Sequence, residues 1–113
     1  MIQVNIENMG DVTIIELAGE LDSTSAPQIQ EQILSVAGHG GKILLDMSKV
    51  TYMSSAGLRI LLLMYRRINE SENVGEIVLA GLNDELQDIM AITGFLDFFT
   101  TVEDRSAALR VWN

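Results

Sequence analysis

The sequence lacks cysteine, has a single histidine and contains few basic residues. These absences exclude or disfavour several kinds of catalytic, metal-binding and nucleic-acid-binding site. Without cysteine, neither a disulfide framework nor a cysteine-based zinc site can form in this chain of 113 residues. A Ser-His-Asp triad or a multi-histidine metal site would depend on His39 alone. We therefore expect no enzyme activity, no cofactor and no bound metal.

Basic residues number 7 against 16 Asp and Glu, which gives a formal net charge of -9. This excess of negative charge repels phosphate backbones and anionic lipid surfaces, so direct nucleic-acid binding is disfavoured. The longest uninterrupted apolar run, Ile60 to Tyr65, is far shorter than the ~20 residues of a membrane-spanning helix. Because the start, Met1-Ile2-Gln3-Val4-Asn5, has no signal-peptide features, we expect a cytoplasmic protein without membrane insertion.

Hydrophobic periodicity and turn residues predict one domain over residues 1–113, with its elements in the order ββαβαβαβα. The predicted strands are 2–7, 12–17, 43–45, 77–80 and 98–102. The predicted helices run from a cap among residues 23–25 to Gly38, from 55 to 70, from a cap at Asn83 to Gly94, and from 103 to 111. We expect Ser25 and Gln28 to form a capping box. This order indicates an α/β fold with a mixed central sheet and helical crossovers.

The segment from Asp46 to Leu58 is the most informative, because it joins a buried strand to the N-terminus of a buried helix. Helix N-termini have unpaired N–H groups and favour negative charge. Ser54 and Ser55 stand at this point, and the small residues Ala56 and Gly57 leave it sterically open. One interpretation is that a serine only caps the helix and Gly57 only allows close packing. The other is that a serine hydroxyl is placed for phosphorylation.

Several motifs spread over the chain carry a family resemblance. They are Gly19-Glu20-Leu21-Asp22, Leu45-Asp46-Met47-Ser48, Val50-Thr51-Tyr52-Met53-Ser54-Ser55-Ala56-Gly57-Leu58 with Leu61 and Leu62, and the ending Ile92-Thr93-Gly94-Phe95, Phe98-Phe99 and Ala107-Ala108-Leu109. Together they resemble the STAS domain of anti-anti-sigma factors, the antagonists of anti-sigma factors. Because the matches cover nearly the whole chain in register, the resemblance implies a single STAS-like domain.

The resemblance also implies a partner switch. In such families the dephosphorylated protein binds an anti-sigma factor that is also a serine kinase of the histidine-kinase-like ATPase fold, and the sigma factor is released. The kinase phosphorylates the antagonist and ends the association, and a serine phosphatase resets it. Carried onto this sequence, the phosphoacceptor is Ser55, two residues before Gly57. This chain departs from the family pattern on both sides of the acceptor. Many members have Asp at the position of Ser54 and a hydroxyl residue at the position of Ala56. Because Ser54 is itself a serine, it is the alternative acceptor.

The surface around the acceptor is expected to bind the partner. The resemblance places Asp22, on the loop after the second strand, near Ser55. Arg59 follows Ser55 by one helical turn and could contact either a partner or a phosphate. The expected partner-binding residues are Asp22, Ser23, Thr24, Met53, Ser54, Ala56, Gly57 and Arg59.

Two other functions remain open at this point. One is a STAS module that regulates a different complex, such as a transporter or a sensory assembly. The other is a serine-nucleophile enzyme that uses Ser55 or Ser54. Against the enzyme stand the absence of a GxSxG motif and the place of His39 among glycines, in a predicted surface loop.

Overall fold

The computed structural model describes residues 2–70 and 75–112. They form a single sheet with strands β1 (Ile2–Met9), β2 (Val12–Leu21), β3 (Gly41–Met53), β4 (Gly75–Ala80) and β5 (Thr100–Val102). The helices are α1 (Ala26–Gly38), α2 (Ser55–Glu70), α3 (Asp84–Ile92) and α4 (Arg105–Val111), and a short 3-10 helix covers Phe95–Asp97. The predicted α/β class and the element order ββαβαβαβα are confirmed.

The strands lie in the spatial order β1-β2-β3-β4-β5, with β1 antiparallel to β2 and the remaining pairs parallel. Parallel neighbours need crossover connections, and α1 and α2 supply them between β2, β3 and β4. As a result, the carboxyl ends of β2, β3 and β4 lie at one end of the sheet, beside the N-termini of α1, α2 and α3. We call this end the carboxyl end; the β1–β2 hairpin turn lies at the opposite end.

Two hydrophobic clusters cover the two faces of the sheet. On one face, buried residues of α1, α2 and α3 pack against the strands, with Ile33, Leu61 and Met90 at 0% exposure. On the other face, Ala108 of α4 packs against a smaller cluster that includes Leu44. Because β3 is covered on both faces, its centre reads as an uninterrupted apolar run, as the sequence predicts.

The strands β2 and β3 are longer than predicted, since residues 18–21 and 46–53 continue the pairing. Two register shifts, between Glu16 and Ala18 and between Gly19 and Glu20, each give β3 one extra residue. Its inward side chains therefore recur every three residues, at Met47, Val50 and Met53. This bulged spacing hides the alternation by which a strand is recognised, so the prediction of a connecting segment after residue 45 is wrong.

The C-terminal strand is shorter than predicted. Phe98 and Phe99 precede β5 and form edge-on contacts with Tyr65 of α2, with ring centroids 5.2 and 5.7 Å apart. The aromatic rings therefore pack against a helix instead of continuing the strand. The last helix begins at Arg105 and not at Glu103, because the carboxylate of Asp104 accepts a hydrogen bond from the Ala107 N–H and caps it.

The predicted capping box at α1 is wrong. Ser25 occupies the cap position, but its hydroxyl makes no bond to the helix. Instead the hydroxyl donates to the Glu20 carbonyl at 2.6 Å and accepts from the Asp22 N–H at 2.9 Å. The side chain of Ser25 therefore stabilises the loop before the helix and does not cap α1.

Candidate functional site

The two adjacent serines lie at the carboxyl end of the sheet, where β3 passes into α2. The Ser54 N–H donates to the Leu21 carbonyl at 2.9 Å, and Leu21 is paired with Met53 in the β2–β3 register. These bonds hold the last residues of β2 and β3 side by side. The loop of residues 22–25, which follows β2, therefore begins at the same end of the sheet as the first turn of α2.

Ser54 and Ser55 have different surroundings. The Ser54 hydroxyl accepts a hydrogen bond from the Ala56 N–H at 3.2 Å, and the Ser54 carbonyl accepts from the N–H groups of Gly57 and Leu58. Ser54 therefore caps α2 and is partly buried. Ser55 is the first residue of the helix and is exposed. Within residues 2–70 and 75–112, no partner is recorded for its hydroxyl.

Gly57 allows α2 to approach the ends of β2 and β3 closely. A Cβ atom at this position would lie 2.5 Å from Cγ of Met53 and 3.0 Å from both Cγ and the carbonyl oxygen of Leu21. Gly57 is buried and Met53 is 2% exposed, so both residues pack behind the surface. Neither residue is therefore available on the surface for a direct contact of its side chain.

Asp22 organises the loop beside the serines. Its carboxylate accepts hydrogen bonds from the N–H groups of Thr24 and Ser25, both at 2.9 Å, and the Asp22 carbonyl accepts from the Ala26 N–H at 2.8 Å. The N–H bonds from Ser25 and Thr24 hold the pKa of Asp22 below its ordinary value. Asp22 is therefore a negative charge at neutral pH, on a loop that its own hydrogen bonds keep ordered.

The remaining predicted residues form the exposed part of this end of the molecule. Ser23, Thr24 and Arg59 are exposed, and Ala56 is partly exposed. Tyr52 is 47% exposed and was missed by the sequence analysis. Tyr52 directly precedes Met53 in β3, and consecutive side chains of a strand point to opposite faces. A strand prediction that included residues 52 and 53, with Met53 facing inward, would therefore have indicated that Tyr52 faces outward.

The described residues bring neither a histidine nor a metal-binding set to the serines. His39 ends α1, and its Nδ1 lies 2.7 Å from the Ser35 carbonyl. Since a helix rises 1.5 Å per residue, His39 is about 20 Å along the axis from the start of α1, which lies at the serine end. No group of three or more His, Cys, Asp or Glu among the described residues could hold a metal ion. None of the described helices has the length and apolarity to cross a membrane.

Fold and site together define a small α/β domain that presents a serine hydroxyl on its surface at the first turn of a buried helix. The chain belongs to the STAS domain family, whose model matches residues 3–108. A protein named as an anti-sigma factor antagonist, BtrV of Bordetella bronchiseptica, is 29% identical over 107 residues, which cover 94% of this chain and 90% of BtrV. The anti-sigma-B factor antagonist of Listeria monocytogenes is 33% identical over 84 residues, 74% of this chain and 72% of the relative.

Solved structures show the same fold. An anti-sigma factor antagonist from Mycobacterium paratuberculosis has a TM-score of 0.87 and 22% identity, with 98% of this chain and 93% of that chain covered. The Bacillus cell fate determinant SpoIIAA in the phosphorylated form has a TM-score of 0.71 and 20% identity, with 96% and 99% covered. These likenesses establish the fold that carries the exposed serine.

Proposed function

We propose that this protein is an anti-sigma factor antagonist that acts by partner switching, and that phosphorylation of Ser55 ends its binding to an anti-sigma factor. The observation that carries the proposal is the exposed hydroxyl of Ser55 on the first residue of α2, next to a serine whose hydroxyl already caps the helix. The naming of the relatives as anti-sigma factor antagonists supports the same function.

Ser55, and not Ser54, is the proposed acceptor. A kinase must reach the hydroxyl oxygen and place it in line with the γ-phosphate of ATP. Modification of Ser54 would remove the bond to the Ala56 N–H and would require a partly buried side chain to leave its place. Modification of Ser55 breaks no hydrogen bond recorded among the described residues, and the added phosphate projects into solvent.

The proposed switch is electrostatic and needs no large conformational change. A phosphoryl group adds about -1.5 to -2 charge at neutral pH. It would join the ionised Asp22 at the carboxyl end of a chain whose net charge is already -9. Placed in a desolvated contact, this charge opposes binding through desolvation and like-charge repulsion. A penalty of about 3 kcal/mol would weaken binding roughly a hundredfold.

The proposed partners are an anti-sigma factor that is a serine kinase of the histidine-kinase-like ATPase fold and a serine phosphatase that removes the phosphate. The phosphorylated form of SpoIIAA, which shares this fold, supports phosphorylation as the regulatory event. The antagonist itself supplies no catalytic group in this scheme. Its role is to present Ser55 and the surrounding surface in a fixed geometry, and we place it in the cytoplasm.

The test is to incubate the purified chain with Mg-ATP and each purified anti-sigma factor of this ATPase fold from the same genome, followed by mass spectrometry. We expect one added phosphate on the peptide that carries Ser55. Ser54→Ala serves as the matched control and should still be modified, whereas Ser55→Ala should not. Phosphate on Ser54 would overturn the choice of acceptor, and no modification by any of these kinases would overturn the proposed function.

A further inference from the structure

Cations are scarce in this chain, and most of those outside α2 are held by carboxylates. Lys42 pairs with Asp11 at 2.9 Å and Lys49 with Glu16 at 3.4 Å. Arg105 contacts three carboxylates. The three arginines of α2, Arg59, Arg66 and Arg67, differ: all are exposed, and the described part of the chain records no carboxylate within ion-pair distance of any of them. These cations of an acidic protein therefore remain available on the helix that begins with Ser55.

The spacing of Ser55 and Arg59 suits a pair within the helix. Residues i and i+4 are neighbours on a helical surface, about 5–6 Å apart at Cβ. Long side chains in a helix point back toward its N-terminus, so Arg59 covers the turn that contains Ser55. An anion that lies N-terminal to a cation is the favourable order for such a pair. Arg66 and Arg67 lie eleven and twelve residues from Ser55, about 16 to 18 Å along the axis, and are out of reach.

We propose that Arg59 pairs with the phosphate on Ser55, which rests on the proposed function that Ser55 is phosphorylated. The guanidinium of Arg59 donates hydrogen bonds to the phosphate oxygens, in the two-pronged geometry that favours arginine over lysine. Phosphorylation then changes two features of the partner surface at once. It adds a dianion at Ser55, and it draws the guanidinium of Arg59 out of contact with the partner.

The pair can be measured without a kinase. Phosphoserine is incorporated at position 55 of the full chain during synthesis, and the second pKa of the phosphate is followed by phosphorus NMR during a pH titration. A cation beside the phosphate favours the dianion and lowers that pKa. Arg59→Gln should therefore raise it by about 0.3 pH units, the shift expected of a surface pair. Arg66→Gln is the matched control, because it removes the same charge from an exposed position of the same helix.

The expected result is a shift with Arg59→Gln that is at least three times that with Arg66→Gln, partial recovery with Arg59→Lys, and a smaller shift at high salt. Equal shifts for the two glutamine variants would show that Arg59 acts only through the overall charge, and would overturn the proposal. Because phosphoserine is installed directly, this result is independent of the kinase assay. A failure of the kinase assay overturns the proposed function, whereas equal shifts overturn only the Arg59 pair.

Discussion

At the scale of single residues, the neighbours Ser54 and Ser55 divide two tasks that the sequence could not assign. Ser54 accepts the Ala56 N–H and caps α2, while Ser55 is exposed. The interpretation of a serine as a helix cap therefore holds for Ser54 and leaves Ser55 available for chemistry by a partner. Gly57 keeps both in place by allowing the helix to approach Leu21 and Met53.

Alanine substitutions should separate the two serines by stability. Ser54→Ala removes a helix cap and should lower the free energy of unfolding by about 1 kcal/mol. Ser55→Ala replaces an exposed residue and should change it by less than about 0.5 kcal/mol. Urea unfolding followed by circular dichroism measures both. A larger loss from Ser55→Ala than from Ser54→Ala would contradict the assignment of the cap.

Glycine at position 57 should be required for packing. Gly57→Ala places a Cβ 2.5 Å from Cγ of Met53 and should cost about 1–3 kcal/mol of stability through overpacking. Gly38→Ala is the control, because its Cβ would meet Arg67 at an ordinary 3.7 Å, and this variant should be neutral or slightly stabilising. The same urea titration applies, and equal stability of the two variants would show that the contact at Gly57 relaxes freely.

At the scale of elements, one arginine ties α4 to the sheet. Arg105 donates to Asp46 on β3 and Glu16 on β2, both at 2.6 Å, and to Glu7 on β1 at 2.9 Å. Burial opposes ionisation of Asp46, but hydrogen bonds from Arg105 and from the Ser48 N–H outweigh it and keep its pKa below the ordinary value. A helix of seven residues is thus held to three strands by charge as well as by its apolar face.

Arg105→Gln should lower the free energy of unfolding by about 1–3 kcal/mol at pH 7, since it leaves the buried carboxylate of Asp46 without its cation. Because the pKa of Asp46 is lower in the folded than in the unfolded protein, its ionised form stabilises the fold at any pH above its unfolded pKa of about 4. This stabilisation is lost as the pH falls through the pKa that Asp46 has in the folded protein. The difference between wild type and variant should therefore shrink below about pH 4. Urea unfolding across pH tests this, with Lys42→Gln, in an exposed pair, as the control that should change little. A difference that is constant with pH would contradict the role of Asp46.

Sequence patterns predicted the number, type and order of the elements, because most strands and helices keep a regular period. The prediction failed where the backbone is irregular. In β3 the bulges place inward side chains at every third residue and not at every second. The sequence Phe98-Phe99 is typical of a strand, but in the fold both rings pack against Tyr65 of α2, which is distant in the sequence. The difference between Ser54 and Ser55 depends on hydrogen bonds and exposure, so only the structure could show it.

At the scale of the whole molecule, the carboxyl end of the sheet carries the proposed interface and the hairpin end does not. A standard interface buries about 800 Å² on each partner, a sizeable part of the 6263 Å² that the protein exposes. Ser55 and its immediate neighbours are too small for this area. We therefore propose that the contact extends over the 22–25 loop, Tyr52 and the first turns of α2.

Tyr52 should contribute to partner binding, because exposed aromatic side chains are common binding hot spots. Tyr52→Ala should weaken binding to the anti-sigma factor by about tenfold or more, while stability changes little. Met9→Ala is the control: Met9 is 50% exposed, close to the 47% of Tyr52, but lies at the opposite end of the sheet. Calorimetric titration of each variant with the anti-sigma factor measures the change in affinity. An equal loss of affinity in the two variants would contradict the location of the interface at the carboxyl end of the sheet.

The central claim is that a phosphate on Ser55 is sufficient to end partner binding. The most direct measurement is the affinity of the anti-sigma factor for the unmodified chain and for the chain with phosphoserine incorporated at position 55, determined side by side by calorimetry. The proposed mechanism predicts that the phosphorylated form binds roughly a hundredfold more weakly, while its fold by circular dichroism is unchanged. Equal affinity of the two forms would contradict it.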